Sequence, residues 1–126
     1  MGLTAKALQR LRDAVGEDDA VIADILQSFV DEQAGLLDKL FTAAANGDAP
    51  TMGRVAHTLK SLCRDLGDET AGDLCARLER DAREGELQEV GTTAELIIAS
   101  CRSLEAEVVS YLKDNSRVRR AERPDL

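Results

Sequence analysis

Apolar residues recur every three to four positions along most of the chain, the period of amphipathic helices, and the runs are punctuated by Gly16, Gly47, Gly67 and Gly85. Leu3, Ala7, Leu8, Leu11 and Val15 predict a first short helix from Thr4 to about Val15, closed by Gly16. Asp18 or Asp19 caps a long second helix that reaches about Ala45. Its stripe is Ile22, Ile25, Leu26, Phe29, Leu36, Leu37, Leu40 and Ala44, with Gly35 weakening it slightly. Asn46-Gly47-Asp48 forms a turn, and Asp48 caps a third helix with Pro50 in its first turn, ending at Gly67. Asp68 starts a fourth, with Ala71, Leu74, Cys75, Leu78 and Ala82 inward, closed by Gly85. The last runs from about Leu87 to Asn115 on Leu87, Val90, Ala94, Ile97, Ile98, Cys101, Leu104, Val108, Tyr111 and Leu112. Short turns make consecutive helices antiparallel neighbours. The expected fold is all-α, an antiparallel up-down four-helix bundle with an additional short N-terminal helix. One domain spans 1–115, followed by a disordered basic tail at 116–126.

The third helix carries an anomaly. Met52, Val55, Leu59, Leu62, Cys63 and Leu66 fall within one arc of roughly 100° at 100° per residue, a core-facing stripe. His57, the single histidine, falls on the opposite side. One turn away on its face are the small residues Gly53 and Ser61, which leave room for a flat partner surface. Arg54, Lys60 and Arg64 flank them, in a chain whose formal net charge is -8. A cationic patch around an uncrowded imidazole points to an anionic partner group, and phosphate is the obvious candidate.

Composition narrows the classes. With 126 residues the chain is long enough for a real core, and 44% hydrophobic residues argue against disorder. Aromatic residues are only 2%, so the core is aliphatic, as helix packing allows. No apolar run approaches a membrane span and no secretory signal is evident, which makes a cytoplasmic protein without membrane contact the expectation. The acidic balance argues against nucleic acid. Arg117-Val118-Arg119-Arg120-Ala121-Glu122-Arg123 is the one basic run, read as a solvated tail rather than an electrostatic tether. Cys63, Cys75 and Cys101 lack CxxC spacing and sit at apolar positions, so buried free thiols are expected and no metal site is.

No P-loop, no GxGxxG and no kinase catalytic loop is present, so no cofactor is expected, and a phosphoryl group on His57 must come from another protein. A neutral imidazole is a good nucleophile near neutrality, and a carboxylate on its second nitrogen fixes the tautomer. Glu79 is the best candidate. The third and fourth helices reverse near Gly67 and Asp68. His57 lies about ten residues before that turn and Glu79 about eleven after it, at similar height on antiparallel helices.

These residues resemble a known family. Ala56-His57-Thr58-Leu59-Lys60-Ser61, then Leu66-Gly67, Leu74-Cys75, Leu78-Glu79 and Ala82-Arg83-Glu84-Gly85 look like the histidine-containing phosphotransfer (HPt) domain, over roughly residues 19–112. The motif of that family is His-x-x-Lys-Gly with a second glycine ten residues after the histidine, a place Gly67 occupies. The Asn46-Gly47-Asp48 turn is similar to the family's Gly-Asp turn. The resemblance implies a four-helix bundle with an exposed phosphoacceptor, His57, which shuttles phosphoryl groups between receiver-domain aspartates. It implies that Lys60 stabilises the phosphoryl charge and that Glu79 hydrogen-bonds the histidine. Ser61 departs from the motif's glycine, and Arg64 and Asp65 are more charged than usual.

The expected protein is therefore a monomeric phosphocarrier rather than an enzyme with its own ATP site. Its partners are the receiver domains of a hybrid histidine kinase and of response regulators. They dock over Gly53, Arg54, Ser61 and Arg64, with Leu8 and Leu11 of the first helix exposed for the same contact. Two alternatives stay open: a non-phosphorylated helical adaptor that binds receivers or kinases, and the phosphoacceptor domain of a chemotaxis-type kinase.

Overall fold

The computed structural model describes the backbone of residues 5–121 and the side chains of residues 5–114. Five helices follow in order: α1 (Ala5–Val15), α2 (Asp19–Ala45), α3 (Ala49–Asp65), α4 (Glu69–Glu84) and α5 (Val90–Ala121). The chain is all-helical among the described residues. In the bundle α2 packs on α3 and α5, and α4 packs on α3 and α5, while α1 leans on α2. This is the four-helix arrangement with a short N-terminal helix that the periodicity predicts. Leu3 lies outside the described residues.

The starts of α2, α3 and α4 are each set by a short acidic side chain. Asp18 accepts from Ala20 N at 2.9 Å, Asp48 from Thr51 N at 3.2 Å and Asp68 from Ala71 N at 3.0 Å. Such caps satisfy donors that the helix itself cannot. Asp68 is almost fully buried, and its second oxygen accepts from Ser100 Oγ at 2.9 Å, which ties the α3–α4 turn to α5. Gly67 in that turn has φ +88°, a backbone region that favours glycine. The turn therefore closes in three residues, Leu66, Gly67 and Asp68, and α3 and α4 form a tight antiparallel hairpin.

Two apolar clusters fill the bundle. The larger joins Leu37 and Leu40 of α2, Met52, Val55 and Leu59 of α3, Leu78 of α4, and Ala94 and Ile97 of α5. The smaller, toward the other end, gathers Ile22, Leu26, Leu66, Leu104 and Val108. The whole predicted α3 stripe is buried. Cys63, Cys75 and Cys101 are free and buried, and they converge: Cys63 Sγ lies 3.5 Å from Cys101 Sγ and contacts Cys75 as well. The contact with Cys63, then burial, pushes the thiols of Cys75 and Cys101 up, so both stay protonated. No cluster of histidine, cysteine or carboxylate suited to a metal ion occurs among the described residues. No described helix is long and apolar enough to cross a membrane.

Three boundaries or placements differ from the sequence reading. α5 starts at Val90, with Thr93 N donating to Glu89 O at 2.9 Å, so Leu87 lies in the connecting loop and is half exposed rather than in the stripe. At its other end α5 continues through Ala121, so 116–121 is helical and not an unstructured tail. Those residues include alanine and arginine and no Gly or Pro, and extending an existing helix costs far less than nucleating one. Residues 122–126 lie outside the described residues. The third difference is Gln33, a polar residue on α2 that is completely buried. Its Nε2 reaches Cys63 Sγ at 3.8 Å, and its Oε1 has no partner among the described residues.

Candidate functional site

His57 stands on the outer crest of α3, its side chain 68% exposed. Its anchor is Glu79, from α4. Glu79 Oε2 is 2.5 Å from His57 Nδ1, and Glu79 Oε1 accepts from Lys60 Nζ at 2.8 Å. One carboxylate thus bridges two side chains that lie one turn apart on the facing helix. The Lys60 hydrogen bond holds the Glu79 carboxyl below the usual glutamate range; burial opposes it, and the weaker His57 contact adds to the lowering. Glu79 is therefore ionised at neutral pH and can only accept. The proton of a neutral imidazole must then sit on Nδ1, and the lone pair must sit on Nε2, the nitrogen farther from the backbone.

Side chains on a helix lean toward its N-terminus. The His57 ring accordingly faces the N-terminal half of α3, where an open cleft of about 690 Å³ lies between α3 and the end of α4. Ala49, Pro50, Gly53 and Ala82 give it small or apolar surfaces, and Arg54 and Arg83 flank them. Gly53 brings the two helices together: a Cβ at that position would meet Ala82 Cβ at 3.2 Å. Arg54 is set by a relay at the start of α3. Its Nη2 donates to Thr51 Oγ1 at 3.0 Å, and that hydroxyl donates to Asp48 Oδ2 at 2.6 Å. The Thr51 hydroxyl, then the Thr51 amide, holds the Asp48 carboxyl below its ordinary value.

The structure brings together only part of the predicted set. His57, Lys60 and Glu79 are in contact, and Gly53 and Arg54 line the same cleft. Ser61 is exposed. Arg64 is engaged elsewhere: Nη2 is 3.2 Å from Asp73 and Nε 3.7 Å from Glu69, with its stem lying over Gly72. Leu8 and Leu11 are half-buried and pack against the cluster that holds Leu66, so they are not freely exposed. Leu66 lies nine residues beyond His57, about 13 Å along the helix axis. Pro50, Ala82 and Arg83 also line the cleft, although the sequence pattern assigns them no role in the site. A signal was available, because Arg83 follows Glu79 by four residues and so shares its face of α4.

Comparison with known proteins bears on this geometry. A family model described as the Hpt domain matches residues 24–114. The sequence is 41% identical over 59 residues to the sensor protein TorS of Escherichia coli (strain K12). That stretch is 47% of this chain but only 6% of TorS. The crystal structure of histidine-containing phosphotransfer protein B (HptB) from Pseudomonas aeruginosa PAO1 matches with a TM-score of 0.79. The match covers 89% of this chain and 95% of that one, at 23% identity, a likeness of fold.

Proposed function

The chain belongs to the Hpt domain family, whose role is histidine phosphotransfer in two-component signalling, and from that premise we propose that His57 is its phosphoacceptor. The single observation that carries the assignment is the bond between Glu79 Oε2 and His57 Nδ1, which leaves the outward Nε2 as the nucleophile.

In this reading a receiver domain presents a phosphorylated aspartate to the cleft. Nε2 attacks phosphorus, an N–P bond forms, and the P–O bond to the aspartate breaks, releasing its carboxylate. No proton has to move. Positive charge develops on the ring, and Nδ1–H passes it to the Glu79 carboxylate through a charge-assisted hydrogen bond. Lys60, held beside the ring by the same carboxylate, offsets the charge of the phosphoryl group. The reverse step passes the group to a second receiver aspartate, which places the protein in a multistep relay as a carrier.

The test is phosphotransfer from isolated, phosphorylated receiver domains. The protein should acquire an acid-labile, base-stable label, as a phosphoramidate does, and His57→Gln should acquire none. A helical adaptor would take no label in either form.

A further inference from the structure

The cations of the α3–α4 hairpin divide into two groups. Lys60 is paired with Glu79, Arg64 with Glu69 and Asp73, Arg77 with Asp81 and Glu89, and Arg80 with Asp81. Each is offset by a carboxylate of this chain. Of the two arginines on the cleft, Arg54 is offset through Thr51 by the Asp48 carboxylate, and Arg83 has no such carboxylate among the described residues. Arg54 donates to the Thr51 hydroxyl, and Arg83 has neither a hydrogen-bond nor an ion-pair partner among the described residues. The patch of positive charge expected around His57 is thus displaced. Lys60 and Arg64 are neutralised on one side, and the uncompensated charge, that of Arg83, lies on the cleft side, toward which the ring leans.

That asymmetry has a chemical meaning. An unpaired guanidinium beside an apolar surface, with that of Arg54 held close by, gives the cleft a cationic edge in a chain of net charge -8. The cleft is large enough for one or two partner side chains. Guanidinium groups suit a carboxylate because they can present two parallel donors to it. The Asp48–Thr51–Arg54 relay fixes one of them in place before any partner arrives.

We propose that Arg83, together with Arg54, selects the partner by binding a carboxylate that the docking receiver presents beside, and separate from, its phosphorylated aspartate. The proposal rests on the phosphotransfer reading of His57. A receiver with a lysine or arginine at that place meets like charge and is rejected. Arg83 is then a specificity residue, acting on the encounter and not on the phosphoryl group.

The experiment titrates isolated receiver domains of the source organism, each phosphorylated with acetyl phosphate, against wild type, Arg83→Glu, Arg83→Lys and Arg80→Glu. Circular dichroism confirms the fold of each, and Arg83→Gln replaces Arg83→Glu if that variant unfolds. For the receiver that labels wild type best, Arg83→Glu should raise the half-saturating concentration at least fivefold. Arg83→Lys should raise it less. Arg80→Glu, the same charge change outside the cleft, should raise it less than twofold. Reversing one acidic side chain on the receiver to lysine should restore transfer to Arg83→Glu. Equal shifts in Arg83→Glu and Arg80→Glu would reduce the effect to net charge and overturn the proposal. So would an unmoved half-saturation with faster hydrolysis of the isolated phosphorylated protein, which would place Arg83 on the phosphoryl group. A wild-type chain that no receiver labels defeats the phosphotransfer reading itself, an outcome distinct from any behaviour of the Arg83 variants.

Discussion

Glu79 Oε2 stands 2.5 Å from His57 Nδ1, across the groove between two antiparallel helices. The contact fixes which nitrogen is free, so removing it should alter chemistry before it alters structure. Glu79→Ala should slow phosphorylation by on the order of tenfold or more, with receiver binding nearly intact. Nitrogen NMR of the ring would show a mixed tautomer in the variant where wild type holds its proton on Nδ1. An unchanged tautomer would reduce Glu79 to an ordinary surface carboxylate.

Lys60 shares that carboxylate, so its substitution acts twice. Lys60→Ala removes a cation near the phosphoryl group, worth on the order of 1 kcal/mol at a partly exposed site, and a roughly five- to tenfold slower transfer follows. It also removes the largest influence holding the Glu79 carboxyl down. The rate defect should shrink in high salt, and the Glu79 carboxyl should titrate at higher pH in the variant. Transfer at the wild-type rate in low salt would exclude Lys60 from the site.

The depressed Glu79 carboxyl also predicts a pH dependence of stability. A carboxyl whose folded pKa lies below its unfolded value of about 4.3 contributes stability above that value and loses it as pH falls through the folded one. Asp48 is depressed in the same direction by Thr51. Denaturant unfolding of wild type and Glu79→Gln should therefore differ at pH 6 and converge only in acid below about pH 4. A difference that persists unchanged to pH 2 would mean that the carboxylate's charge contributes nothing.

Gly53 and Ser61 look equivalent in sequence, one turn either side of the histidine, but the structure separates them. Ser61 is exposed, and Ser61→Trp should fold normally while blocking transfer by bulk alone. At Gly53 the first added carbon already meets Ala82 at 3.2 Å. Gly53→Ala should be close to neutral, because a helix-propensity gain of about 1 kcal/mol is offset by that crowding. Gly53→Trp should force α3 and α4 apart and lower the melting temperature. A Gly53→Trp protein as stable as its parent would show that the helices do not need this close approach.

Gln33 gives a test of the core. Its buried Oε1 has no partner among the described residues and its amide makes only a long contact to Cys63 Sγ. Gln33→Leu exchanges a poorly satisfied polar group for an apolar one of similar length. Stability should rise by about 1 kcal/mol, read as a higher denaturant midpoint with unchanged slope. A fall of that size would show that the amide is better satisfied than the fold implies.

The parts of the site that were legible in the sequence depend only on helical period and chain reversal. His57 opposite its stripe and Glu79 level with it both follow from backbone geometry. What stayed hidden depends on where long side chains go. Nothing in the spacing of Lys60 or Arg64 tells that each turns toward a carboxylate of α4, or that Arg83 finds none. Gln33 was hidden for a different reason: one polar residue in an apolar face does not disturb the pattern that defines the face. Leu8 and Leu11 look exposed only if α1 is read alone, and their burial comes from packing against the cluster of Ile22, Leu26, Leu66, Leu104 and Val108.

The three-residue closure from Leu66 to Asp68 bears on how such a chain can vary in length. One residue inserted there would turn α4 by about 100° and shift it by about 1.5 Å against α3, carrying Glu79 away from the ring. The bundle would still bury apolar surface, but the histidine would lose its orienting partner. The loop between α4 and α5 meets no such restriction, since Glu79, the hydrogen-bond partner of His57, lies before it. Insertions should therefore be tolerated between Gly85 and Val90 and be silencing between Asp65 and Glu69, a contrast set by the phase of one helical hairpin.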